Sequence, residues 1–176
     1  MTKKISLAIF ASDQGQGDSE RGAIMMQVGS FLASKKVDFI CLAQNGVLCT
    51  PLITSARSAG ANIKIISDDE FIIPKNLNDI ELERIGQEQD RFKRIGELSD
   101  VFVGLPGSLL SAKFLFEVWS ANQREIPVML LNKNKSFEFM RGFMQDIVSH
   151  KVKNLDKIIS QTDNIEDMWN RLAKLV

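Results

Sequence analysis

The residues of this chain best placed to do chemistry follow the apolar run Val101-Phe102-Val103-Gly104-Leu105. That run reads as a buried strand, and Pro106-Gly107-Ser108 turns it directly into a helix. The free N–H groups of a helix start, with the hydroxyls of Ser108 and Ser111, can hold an anion such as a phosphate. Gly107 would let backbone approach that ligand closely. The same residues also describe a plain strand-to-helix turn with a serine cap. Spacing alone does not separate the two readings.

Two other loops leave the ends of expected strands, Ser12–Gly17 and Gln44–Thr50. In an open parallel sheet, ligands bind outside the carboxyl ends of the strands. Ser12, Asn45 and Gly46 therefore join Gly107, Ser108 and Ser111 as candidate contacts to a ligand or its phosphate. Gly15-Gln16-Gly17 does not complete a dinucleotide fingerprint: position 20 is Glu, and the second strand runs into Gln44-Asn45 rather than an acid. There is no G-x-x-x-x-G-K-[ST] run either. Arg84, Gln87, Arg91 and Arg94 recur at helical spacing, so Arg91 reads as one member of a solvent-facing stripe or as a phosphate contact beside the third loop. Glu117 follows Lys113 by four residues, the spacing of a solvated helical ion pair.

Stepping from these residues to the chain that must hold them, 176 residues fit one domain with a core of ordinary size. The 22 basic and 22 acidic side chains cancel, which argues against nucleic acid or a membrane surface as partner and favours self-association, read here as a homodimer. Cys41 and Cys49 do not form a disulfide framework, and with His150 the only histidine, neither a zinc site nor a histidine-based hydrolase is expected. His150 reads as a helix-end residue and Cys41 as a small core residue. Residues 5–11 read as a first strand rather than the core of a signal peptide, and no run reaches the roughly 20 apolar residues of a membrane span. The compartment expected is the cytoplasm, and no resident cofactor or metal is expected.

Strands are expected at Ile5–Ala11, Val37–Ala43, Ile63–Ser67, Val101–Leu105, Pro127–Leu131 and Leu155–Ser160. Helices are expected at Asp18–Ser34, Pro51–Ala59, Asp79–Ser99, Ser108–Gln123, Ser136–His150 and Ile165–Leu175. Such alternation implies βαβ units and an α/β fold: a Rossmann-like, doubly wound, mostly parallel sheet in three αβα layers.

The stretch RFKRIGELSDVFVGLPGSLLSAKFLFEVW, from Arg91 to Trp119, resembles the LOG family, whose members are also described as lysine decarboxylase-like. These are Rossmann-like nucleoside-monophosphate phosphoribohydrolases, and molybdenum-cofactor carrier proteins are their relatives. The family pattern is an Arg-Lys pair, then Ser-Asp, a buried strand, and P-G-G-x-G-T-x-x-E opening a helix. More loosely, the likeness spans the whole chain. Pro106 and Gly107 fit the motif, Ser108 stands for its second glycine, Leu110 for its third and Ser111 for its threonine, while Phe114 occupies the place of the glutamate. Upstream, Arg91 fits the family arginine and Phe92 replaces the lysine.

The resemblance implies a binding site for a nucleotide or another phosphorylated small molecule, and Phe114 implies that the hydrolytic centre is gone, since phenylalanine can neither carry charge nor move a proton. Two alternatives stay open. One is a divergent phosphoribohydrolase cleaving an N-glycosidic bond, with Arg91 orienting phosphate and Glu117 substituting for the lost acid. The other is a carrier for a partner or a cofactor.

Overall fold

Neighbouring βαβ units leave strands no choice but to lie parallel, and all seven do. The computed structural model describes residues 4–12, 19–122, 125–138, 140, 142 and 158–175. Its strands are β1 (Ser6–Phe10), β2 (Asp38–Ala43), β3 (Ile63–Ser67), β4 (Glu81–Arg84), β5 (Val101–Gly104), β6 (Val128–Leu131) and β7 (Ile159–Thr162). The α-helices of the described residues are α1 (Ser19–Ser34), α2 (Thr50–Ser58), α3 (Glu88–Leu98), α4 (Leu109–Ala121) and α5 (Ile165–Leu175). The sheet runs β4-β3-β2-β1-β5-β6-β7, every pair parallel. This is one α/β domain of the Rossmann-like, doubly wound kind. Strand order reverses between β1 and β5.

Alternation along each strand divides the core into two apolar layers. Leu7, Ile9, Phe39, Cys41, Ile65, Val101, Val103 and Met129 face a layer completed by α1, α2 and α5. Ala8, Phe10, Ile40, Leu42, Ile66, Phe102, Val128 and Leu130 face the other, completed by α3 and α4. Because both faces are covered, the strands lack the polar alternation of a half-exposed sheet. On the first face, α1 crosses α2 at Gly29, where a Cβ would stand 2.6 Å from the Leu52 carbonyl oxygen.

The structure departs from the expected elements in one informative place. Asp79–Ser99 is not a single helix: Glu81–Arg84 forms edge strand β4, and α3 begins at Glu88. The charges that gave this stretch a helical period serve the edge instead. Lys64 on β3 reaches Glu81 at 2.7 Å and Glu83 at 3.3 Å, and Arg94 on α3 reaches Glu83 at 2.8 Å. A short, charged edge strand resists pairing with another chain. The last strand lies at Ile159–Thr162 rather than at Leu155–Ser160, held by Asn132 N–H to the Thr162 carbonyl at 2.7 Å. Most of the helix expected over Ser136–His150, His150 included, lies outside the described residues, as does Gly15-Gln16-Gly17. Among the described residues no helix is long and apolar enough to cross a membrane.

Two outcomes follow from this packing. Gly29→Ala forces either α1 or α2 to shift, because its nearest obstacle besides the Ser55 hydroxyl is backbone. Urea unfolding should show a loss of roughly 1–3 kcal/mol at constant m. The second concerns acid. The Arg94 guanidinium, seconded by Lys64, holds the Glu83 carboxyl below its ordinary value. A depressed carboxyl contributes stability that is present above the unfolded pKa of about 4.3 and is lost as pH falls through the lower folded value. Glu83→Gln should therefore be less stable than wild type at neutral pH and lose less on acidification below about pH 4.3, read from urea midpoints across pH.

Candidate ligand-binding cleft

At the reversal between β1 and β5, the two strand ends diverge and open a cleft of about 450 Å³. Its floor includes Gly104, where an added Cβ would meet the side-chain ends of Leu130 at 2.8 Å and Leu115 at 3.0 Å. One wall is the loop Leu105–Ser108 with the first turn of α4, including Ser111. The opposite wall comes from Glu20, Arg21 and Ile24 of α1 and from Asn134, Ser136 and Phe137 after β6. Glu20 accepts a hydrogen bond from Asn134 Nδ2 at 2.6 Å, which ties the start of α1 to the β6 loop across 114 residues of sequence.

In the loop after β5 the capping role is plain. Ser108 caps α4: its Oγ accepts from the Ser111 N–H at 3.2 Å, while the Ser111 hydroxyl donates to the Ser108 carbonyl at 2.8 Å. Helix geometry still offers no i−4 acceptor to the N–H groups of Leu109 and Leu110, so a helix N-terminus with its partial positive charge borders the cleft. Gly107 is needed for a reason other than ligand approach. A Cβ there would lie 3.0 Å from the backbone nitrogen of Ser12 and 2.9 Å from Ser111 Oγ. Ser12 is fully buried, and its backbone seats the β5 loop.

Arg91 does not belong to a solvent-facing stripe. It is 5% exposed, and the structure splits the expected stripe between β4, where Arg84 lies, and α3. Its Nε and Nη2 donate to Gln44 Oε1 at 3.1 and 3.0 Å, and Nη1 donates to the carbonyls of Ile85 and Gly86 at 2.7 and 2.8 Å. Gln44 Nε2 in turn donates to Glu88 Oε2. The guanidinium thus clasps the end of β2 to the bend between β4 and α3. Beyond Gln44, Asn45 and Gly46 have φ of 50° and 74° in a turn closed by Gln44 and Val47 bonding to each other. Positive φ at both central residues is what Asn-Gly supplies. Neither residue, nor Arg91, is among those lining the cleft.

The carboxylate candidate lies elsewhere too. Glu117 pairs with Lys113 at 3.4 Å on α4 and does not line the cleft; its Oε2 is screened from water and has no hydrogen-bond partner among the described residues. Phe114 is 2% exposed and stacks edge-on against Phe92, centroids 6.4 Å apart. Two of the positions where this chain departs from the LOG pattern, Phe92 and Phe114, are therefore one apolar contact between α3 and α4.

Reading the sequence missed Glu20, Arg21, Asn134, Ser136 and Phe137. Asn132-Lys133-Asn134 directly after an apolar strand was a usable signal, since it marks a third strand end beside the switch point. No group of three potential metal ligands occurs among the described residues.

No protein-family model and no curated protein sequence matches the chain. Solved structures do. The molybdenum cofactor carrier protein of Chlamydomonas reinhardtii superposes with a TM-score of 0.71 at 11% identity, over 98% of both chains. The molybdenum cofactor binding protein of the phototrophic bacterium Rippkaea orientalis gives 0.70 at 14% identity, over 99% of both chains. DNA processing protein A of Helicobacter pylori, which binds single-stranded DNA, gives 0.60 at 15% identity, over 97% of this chain and 80% of its own. The shared property is the Rossmann-like fold, carried by proteins with different ligands.

Arg91→Lys tests the clasp. An ammonium cannot reach both Gln44 and the two carbonyls, and leaving buried acceptors unmet costs about 1–3 kcal/mol each. Urea unfolding should show a loss in that range in the absence of any ligand; unchanged stability would show that the clasp is dispensable.

Proposed function

We propose that this chain is a LOG-like binding protein for a nucleotide or another phosphorylated small molecule, without the family's hydrolytic centre. The observation that carries the reading is Phe114. It stands where the resemblance calls for the acid, and it is core packing against Phe92 rather than a group at the cleft. The lining of the cleft suits binding: a helix N-terminus, the Arg21 side chain, and the apolar faces of Ile24 and Phe137. Ser12, Gly107, Ser108 and Ser111 contribute by shaping that wall, and Arg91, Asn45 and Gly46 by holding the neighbouring strand end.

The divergent-hydrolase alternative needs Glu117 in the cleft, and its pairing with Lys113 outside the lining argues against it. The carrier alternative has an observation of its own, the nearly full-length superposition on two proteins described as carrying or binding the molybdenum cofactor. In that reading the same cleft holds a cofactor as cargo, and no chemistry is asked of its walls. A cytoplasmic homodimer completes the proposal; Leu109, 77% exposed at the cleft mouth, is an apolar side chain such a contact would cover.

Calorimetric titration decides among these readings. Nucleoside monophosphates should bind with a dissociation constant below about 1 mM, equivalent to at least about 4 kcal/mol. AMP should release no free base, with or without Glu117→Gln. Base release abolished by that substitution would establish the hydrolase, and binding of the molybdenum cofactor but no nucleotide would establish the carrier.

A further inference from the structure

The chain's only two cysteines sit on either side of the Gln44–Val47 turn. Cys41 lies in the middle of β2, on the face covered by α1 and α2, and Cys49 immediately precedes α2. Both are buried, at 0% and 2% exposure. Their sulfurs are 3.5 Å apart, with the Cys49 thiol donating to Cys41 Sγ. Two thiols in mutual contact offer a reaction that no other small apolar pair could perform.

We propose that Cys41 and Cys49 form a reversible dithiol–disulfide couple whose oxidant is a small hydroperoxide. A disulfide bond measures about 2.05 Å, so the sulfurs need to close by about 1.5 Å, within reach of side-chain rotation and a small shift of the segment before α2. One thiol loses its proton and attacks the terminal peroxide oxygen, giving a sulfenic acid and releasing water or an alcohol. The second thiol then displaces the sulfenic oxygen as water and the S–S bond forms. In sum, two thiols lose two electrons and two protons, and the hydroperoxide takes them up. A small dithiol reverses the step by exchange.

Burial limits which oxidants can enter, and hydrogen peroxide is small enough. Contact with Cys49, then burial, holds the Cys41 thiol well above its usual range, so the reduced pair is quiet until the segment opens. Oxidation belongs on the minutes-to-hours scale of uncatalysed disulfide chemistry. The consequence is local: the bond closes a ring over positions 41–49 and clamps the Asn45–Gly46 turn to the start of α2. This inference stands apart from the ligand reading, since it needs no occupant in the cleft.

The test is intact-mass spectrometry of the native, fully reduced protein incubated with hydrogen peroxide at about 1 mM and neutral pH. The expected product is a monomer lighter by about 2 Da, with both thiols lost to a maleimide probe in denaturant and both restored by dithiothreitol. Peptide mapping should join Cys41 to Cys49, and Cys49→Ser should show no 2 Da loss. If that variant fails to fold, the wild-type mass and the peptide map decide alone. Thiols that stay reduced for hours, added oxygen without the 2 Da loss, or disulfide-linked dimers would each overturn the proposal.

Discussion

The seating of Gly107 against the backbone of Ser12 sets the geometry on which the ligand edge depends. β1 and β5 are neighbours, with the Leu105 N–H bonded to the Phe10 carbonyl at 3.0 Å, yet the chain leaves them in opposite directions. β1 continues into α1 on one face of the sheet, and β5 into α4 on the other. Two loops that must separate are pressed together at their first residues, and a Cβ at position 107 would stand 3.0 Å from the Ser12 nitrogen, tighter than ordinary van der Waals contact. The cleft is what remains when the strand ends touch at their base and their helices diverge above it.

Several of the groups that looked chemical in sequence also hold the fold together. The Ser108 hydroxyl spends its lone pairs on the Ser111 N–H, and Arg91 gives its guanidinium to Gln44 and to two carbonyls of a bend. Arg91 is the buried one of the two, and an unmet donor in a core costs more than a surface contact returns. What is left for a ligand is a helix N-terminus, a few polar side chains on the far wall, and apolar surface. Among the described residues, Glu20 is the one carboxylate of that lining, and it is tied to Asn134.

A comparison with the LOG pattern gains meaning from the same packing. The LOG pattern that the sequence resembles has lysine and glutamate where this chain has Phe92 and Phe114. In the fold these two positions meet between α3 and α4, and both rings are buried.

By itself the sequence determined the α/β class, the parallel sheet and five of its strands, because runs such as Val101–Leu105 and Val37–Ala43 are apolar on both faces and only a doubly covered sheet buries them. It also located the loop after β5, since proline, glycine and serine at a strand-to-helix junction have few other uses. It could not show that Glu81–Arg84 is a strand: its charges have helical spacing, and only the nearness of Lys64 and Arg94 turns them into an edge. Nor could it show that Arg91 faces inward, that Asn45 and Gly46 lie away from the cleft, or that Glu20 and Asn134 meet across it. Those facts depend on strand order. Which strand ends become neighbours is set by contacts between residues far apart in the chain, and local patterns of polarity carry no record of them.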